Sequence, residues 1–139
     1  MRARFCLFLA LLLAPRAWAQ LSLGNAQSPP GLRWKELSSE HFRVLFPEEL
    51  AEDAQACANV LEHVRAGLAR GFESEVPRTT IVLSNQQGAA NGYVGFFPRR
   101  SEWFHVAPAD ALLGANEWYS LLAVHEGRHM AQIAEEKRG

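Results

Sequence analysis

The sequence predicts an α+β domain: a twisted mixed sheet with one long packing helix and a second helix near the C-terminal end. Three observations lead there. Short segments rich in β-branched and aromatic residues occur early and again in the middle of the chain. Between them, apolar residues from Leu50 to Leu68 recur at helical spacing. A second helical segment starts at about Asn116. With 139 residues, 48% hydrophobic and 21% charged, the chain has the composition and length of one globular domain.

The first segment is expected to lie outside that domain. Arg2 and Arg4 precede the apolar run Phe5 to Ala14, and Ala17-Trp18-Ala19 offers a small-x-small cleavage site. This is the pattern of a secretory signal peptide over residues 1–19. The run is too short for a membrane span, which needs about 20 residues. Cleavage leaves no stable membrane insertion and places the protein in a periplasmic or secreted location. It also removes Cys6, so Cys57 remains as a single cysteine and no internal disulfide forms. Residues 20–33, rich in Gly, Ser, Asn and Pro, read as a flexible lead-in.

The domain proper begins at Trp34. Trp34 to Leu37 and His41 to Phe46 read as two strands; in the second, Phe42, Val44 and Phe46 alternate with His41, Arg43 and Leu45. Pro47 ends it, and Glu48-Glu49 suit the positive end of a helix dipole. The stripe Leu50, Ala54, Cys57, Leu61, Val64, Leu68 then predicts a helix to about Arg70, with Cys57 buried on it and His63 off it. Gly71 ends the helix. Arg78 to Ser84 predicts a central strand. Residues 85–92 read as a loop with a turn at Asn91-Gly92. Tyr93 to Phe97 and Trp103 to Val106 are expected to form a hairpin about Pro98 to Ser101, and Pro108 to Ala115 a loop. The last helix is predicted from Asn116, as N-cap, to about Lys137.

That helix contains His125-Glu126-Gly127-Arg128-His129, the pattern H-E-x-x-H. Histidines four apart lie on one helical face, so both imidazoles can reach one Zn²⁺. Glu126 stands about 100° round the helix from His125, beside the metal rather than on it. A carboxylate there can act as general base towards a water that zinc acidifies. The alternative is a pair of core or surface histidines on an amphipathic helix. His41 and His105 alternate with apolar neighbours and read as solvent-facing, with His105 alternatively approaching the last helix if the hairpin packs beside it; a metal role is the lesser reading of each. With 14 Lys+Arg against 15 Asp+Glu, no basic stripe is available, so nucleic acid is not an expected partner.

The motif, placed after a helix, strands and a hairpin, resembles the zincin metallopeptidases. It is most similar to the gluzincin-like peptidase MA domains of secreted bacterial proteins. Trp34, the strand His41-Phe42-Arg43-Val44 and Asn91-Gly92 also match the pattern of those domains. The resemblance spans roughly residues 34–132, and only the five-residue motif is specific. It implies a zincin-like half-domain, with His125 and His129 as zinc ligands and Glu126 as general base. It implies a secreted zinc-dependent peptidase acting on peptide or protein substrates. The hairpin strand is then the edge on which an extended peptide pairs. Some relatives carry a β-propeller downstream.

One departure is substantial. A catalytic zinc takes three protein ligands, and gluzincins supply the third from a Glu on a later helix. Only ten residues follow His129. Glu136 lies about 10 Å further along a straight helix. Glu135 has the metzincin spacing, but Gln132 stands where metzincins turn the chain at Gly. Both acids are expected to be solvated. Residues 34–139 are therefore expected to form an incomplete peptidase domain. The alternative is a non-catalytic or truncated zincin-fold module that binds a peptide or protein partner.

Overall fold

The computed structural model describes residues 28–73, 75–86, 88, 91–96, 98–106 and 115–137. The signal segment 1–19, residues 20–27 of the lead-in and residues 107–114 of the last loop lie outside the described residues. Seven elements follow in order: β1 (Trp34–Ser38), β2 (Phe42–Pro47), α1 (Ala51–Leu68), β3 (Thr79–Ser84), β4 (Gly92–Phe96), β5 (Arg99–Phe104) and α2 (Ala115–Glu136). A single 3₁₀ turn, Glu48–Leu50, leads into α1.

The fold is α+β. Five strands make one mixed sheet in the order β1-β2-β3-β5-β4. The central strands β2, β3 and β5 are parallel, and antiparallel pairs β1–β2 and β5–β4 finish the two sides. The parallel step from β2 to β3 needs a crossover, which α1 supplies.

Alternation in β2 and β3 decides the layering. Phe42, Val44, Phe46, Ile81 and Leu83 are buried on one face, and Trp103 of β5 joins them. Both helices pack there. Ala54, Cys57, Ala58, Leu61 and Leu68 of α1 meet Trp118, Tyr119, Leu122, Ala123, Met130 and Ala131 of α2 in one cluster. A buried Leu or Phe in such a cluster contributes about 1.5–3 kcal/mol. Trp103 is satisfied as well as buried, because its indole N–H donates to Ser101 Oγ at 2.7 Å. Cys57 is fully buried, and burial followed by the nearby Asp53 charge pushes its thiol well above the ordinary range. His63, off the stripe, is exposed.

The hairpin differs from the sequence expectation. Arg99, Arg100 and Ser101 are not its turn; they open β5 and pair with Phe96, Gly95 and Val94. Asn91-Gly92 is not a turn between strands either. Gly92 is the first residue of β4, and its amide donates to the Asn91 side chain at 2.9 Å. The helix at the end starts at Ala115, so Asn116 already lies inside it. Among the described residues no helix is long and apolar enough to cross a membrane.

Candidate metal centre

The site grows from the two faces of α2. Trp118, Tyr119, Leu122, Ala123, Glu126, Gly127, Met130 and Ala131 recur at steps of one and three and are buried. That spacing is the inward stripe of an amphipathic helix. His125 and His129 fall on the exposed side. Their ring centroids are 5.0 Å apart and the planes meet at 83°. Gln132 Oε1 lies 3.4 Å from Nδ1 of His129. When that nitrogen carries the proton, the ring's Nε2 is left as the donor for a metal.

Glu126 belongs to the inward stripe, with only 4% of its surface exposed. Burial lifts its carboxyl above the ordinary carboxylate range, against the pull of His125 and His129. The strand β4 closes over it. An added β-carbon on Gly92 would meet Leu122 Cδ2 at 2.8 Å and Glu126 Oε1 at 3.4 Å. The space left between β4 and α2 is a cleft of about 380 Å³. Gly92, Tyr93 and Val94 form one wall, and His125, Glu126, His129 and Ile133 belong to the other.

The three residues of the motif are thus brought to one cleft, as its spacing requires. His41 and His105 are not. His41 Nδ1 lies 2.7 Å from Glu62 Oε2 on α1. His105 Nδ1 lies 2.8 Å from the buried Tyr119 hydroxyl and 3.6 Å from Asp53. Each is half-buried rather than turned freely to solvent, and His105 approaches α2 as the alternative reading has it. Glu136 is exposed, as expected, yet lines the same cleft as the histidines. Glu135 is half-buried.

The donor set fits two positions of a tetrahedral zinc ion, with an imidazole nitrogen at each. Among the described residues, no three His, Cys, Asp or Glu side chains are grouped to hold a metal. Four residues besides His125, Glu126 and His129 shape the cleft or hold its helix. Gly92 admits the strand, Gln132 faces His129, and Gly127 and Arg128 meet α1. In the sequence Gly92 stands out as half of Asn91-Gly92, read as a turn and as part of the resemblance, and Gln132 only as a departure from the metzincin pattern; neither reading places it against Glu126 or His129. No protein-family profile, curated protein or solved structure matches the chain.

Proposed function

We propose that this chain is a zincin-like half-domain of a secreted or periplasmic zinc-dependent peptidase. The observation that carries the reading is the shared cleft, which the imidazoles of His125 and His129 and the buried carboxyl of Glu126 all line. His125 and His129 would hold the ion. Zinc, when bound, polarises a peptide carbonyl and acidifies water at the site. Glu126 takes a proton from the attacking water as the C–O bond forms, and returns it to the amine nitrogen as the C–N bond breaks. Burial suits Glu126 to this, because a raised carboxyl pKa brings proton transfer nearer to balance at working pH. The edge strand β4, bonded on one side only to β5, offers its other backbone edge to an extended peptide.

A second reading rests on the ligand count. With two histidines and no grouped third ligand among the described residues, the same frame suits a module that binds a peptide or protein without turnover.

Zinc content and hydrolysis of an unstructured protein substrate, measured on the purified chain and on Glu126→Gln, separate the readings. A peptidase binds zinc in both forms and loses roughly 10²–10⁴-fold in rate in the variant. Equal hydrolysis by both removes the role given to Glu126. Zinc binding without hydrolysis in either form favours the non-catalytic module.

A further inference from the structure

We propose that Arg128 is a positioning residue: it sets the roll of α2 about its own axis, and so the distance between the His125–His129 pair and the β4 wall. The inference rests on the peptidase reading for its consequence, and on packing alone for its geometry.

Arg128 lies between the two histidines in sequence but points elsewhere. Steps of about 100° per residue put it on one flank of the pair and Glu126 on the other. The Glu126 flank meets β4 at Gly92. The Arg128 flank meets the end of α1. There Nη1 of Arg128 donates to Leu68 O at 3.1 Å and to Arg70 O at 2.5 Å. Its guanidinium also lies over the Phe72 ring, 4.6 Å from the centroid. The last carbonyls of a helix lack partners within it, and a cation there also opposes the negative end of the dipole.

What Arg128 grips is itself fixed. Arg70 N–H donates to Gly67 O and Phe72 N–H to Ala69 O, with Gly71 at φ 89° between them. One residue before Arg128, Gly127 lies hard against the buried Leu68. The helix is therefore held from two sides, by α1 and by β4, with the exposed imidazoles between. A side chain stands about 5–6 Å from the helix axis, so a roll of about 20° moves it by roughly 2 Å. That is a whole metal–nitrogen bond length. Both ligands sit on the same helix and move together. Loss of the grip therefore alters the fit of substrate between metal site and strand more than it alters the affinity for metal.

The test compares the chain with Arg128→Ala and Arg128→Lys. In metal-free protein, two-dimensional NMR follows the amides of Gly92 and Tyr93, on the flank that Arg128 does not touch. Arg128→Ala is expected to shift both and to speed hydrogen exchange in the 67–72 turn; Arg128→Lys, which still donates to a carbonyl, restores part of each. With zinc, its affinity is expected to stay within about threefold in Arg128→Ala while kcat/KM for peptide hydrolysis falls at least tenfold. Unmoved Gly92 and Tyr93 resonances in a folded Arg128→Ala chain, or in Arg128→Met should the alanine variant not fold, overturn the proposal, and so does an Arg128→Lys chain shifted no less than the variant without the donor. A parent chain that neither binds zinc nor cleaves peptide overturns the peptidase reading instead, and the metal-free spectra still decide the roll.

Discussion

Gly92 of the edge strand lies against Glu126 so closely that a β-carbon on the glycine would stand 3.4 Å from the glutamate's Oε1. The same atom would stand 2.8 Å from Cδ2 of Leu122, closer than packed carbons approach. Leu122 is itself buried, so it has little room to yield. Gly92→Ala is therefore expected to lift β4 from α2. The stability loss should be about 1–3 kcal/mol, as for other overpacked sites. If the cleft is a peptidase site, hydrolysis should fall by more than that loss explains, because β4 is the wall opposite the histidines. Urea unfolding beside a hydrolysis assay checks both. An alanine variant as stable as the parent would mean that the Leu122 methyl yields at little cost and that β4 is not displaced.

Gly127 poses the same steric question towards α1. Its added β-carbon would fall 2.5 and 2.7 Å from the two methyls of Leu68, a residue buried at the C-terminal end of α1. Gly127→Ala is expected to cost about 1–3 kcal/mol, and Leu68→Ala about 2–5 kcal/mol. The double variant should cost clearly less than the two together, because the smaller side chain makes the room that the added methyl needs. A coupling of about 1 kcal/mol or more in the four-protein cycle is the expected outcome. Strict additivity would show that the helices do not meet at these two residues.

Much of the fold was legible because it is local. The alternation of Phe42, Val44 and Phe46 and the stripe from Leu50 to Leu68 each report one face of one element, and these residues are buried as read apart from Val64, which is half-buried against the core. The hairpin was not legible. Charged Arg99 and Arg100 beside Pro98 look like a turn, but they begin a strand. Arg100 stands on the face of the sheet away from the helices, with its Nε 3.9 Å from Glu102 Oε2, and Arg99 is half-buried where the strand opens. The same division holds at the site. His125, Glu126 and His129 share one helix, so their spacing alone places them. Gly92 and Arg128 act through contacts made by tertiary packing; Arg128 reaches carbonyls 58 and 60 residues away. No period in the sequence encodes such a contact.

Glu62 supplies a prediction about acid stability. It stands on α1 and ties that helix to the β1–β2 turn. Ser39 Oγ and the His41 amide donate to its Oε1 at 2.6 and 2.8 Å, and the His41 ring meets Oε2 at 2.7 Å. Burial alone would raise this carboxyl. The hydrogen bonds from Ser39, the His41 amide and the His41 ring outweigh it and hold the group below the usual range. A carboxyl lowered on folding stabilises above its unfolded value of about 4.3. That contribution disappears as pH falls through the lower folded value. Glu36 and Glu49 are also held low, Glu36 chiefly by the Arg43 guanidinium and Glu49 chiefly by a backbone N–H. Both are solvent-exposed groups, and salt screens the charge pairing that holds Glu36. The hydrogen bonds that hold Glu49 survive salt, and the raised Glu126 carboxyl acts in the opposite direction, but both are common to the parent and to Glu62→Gln. The part of the acid-side slope of melting temperature, from about pH 6 down to about pH 3 in high salt, that differs between the two proteins is therefore that of Glu62. Glu62→Gln should lower the melting temperature near neutrality and flatten that slope. A variant that keeps the parent's slope would mean that the Ser39–His41–Glu62 cluster does not govern the acid limb.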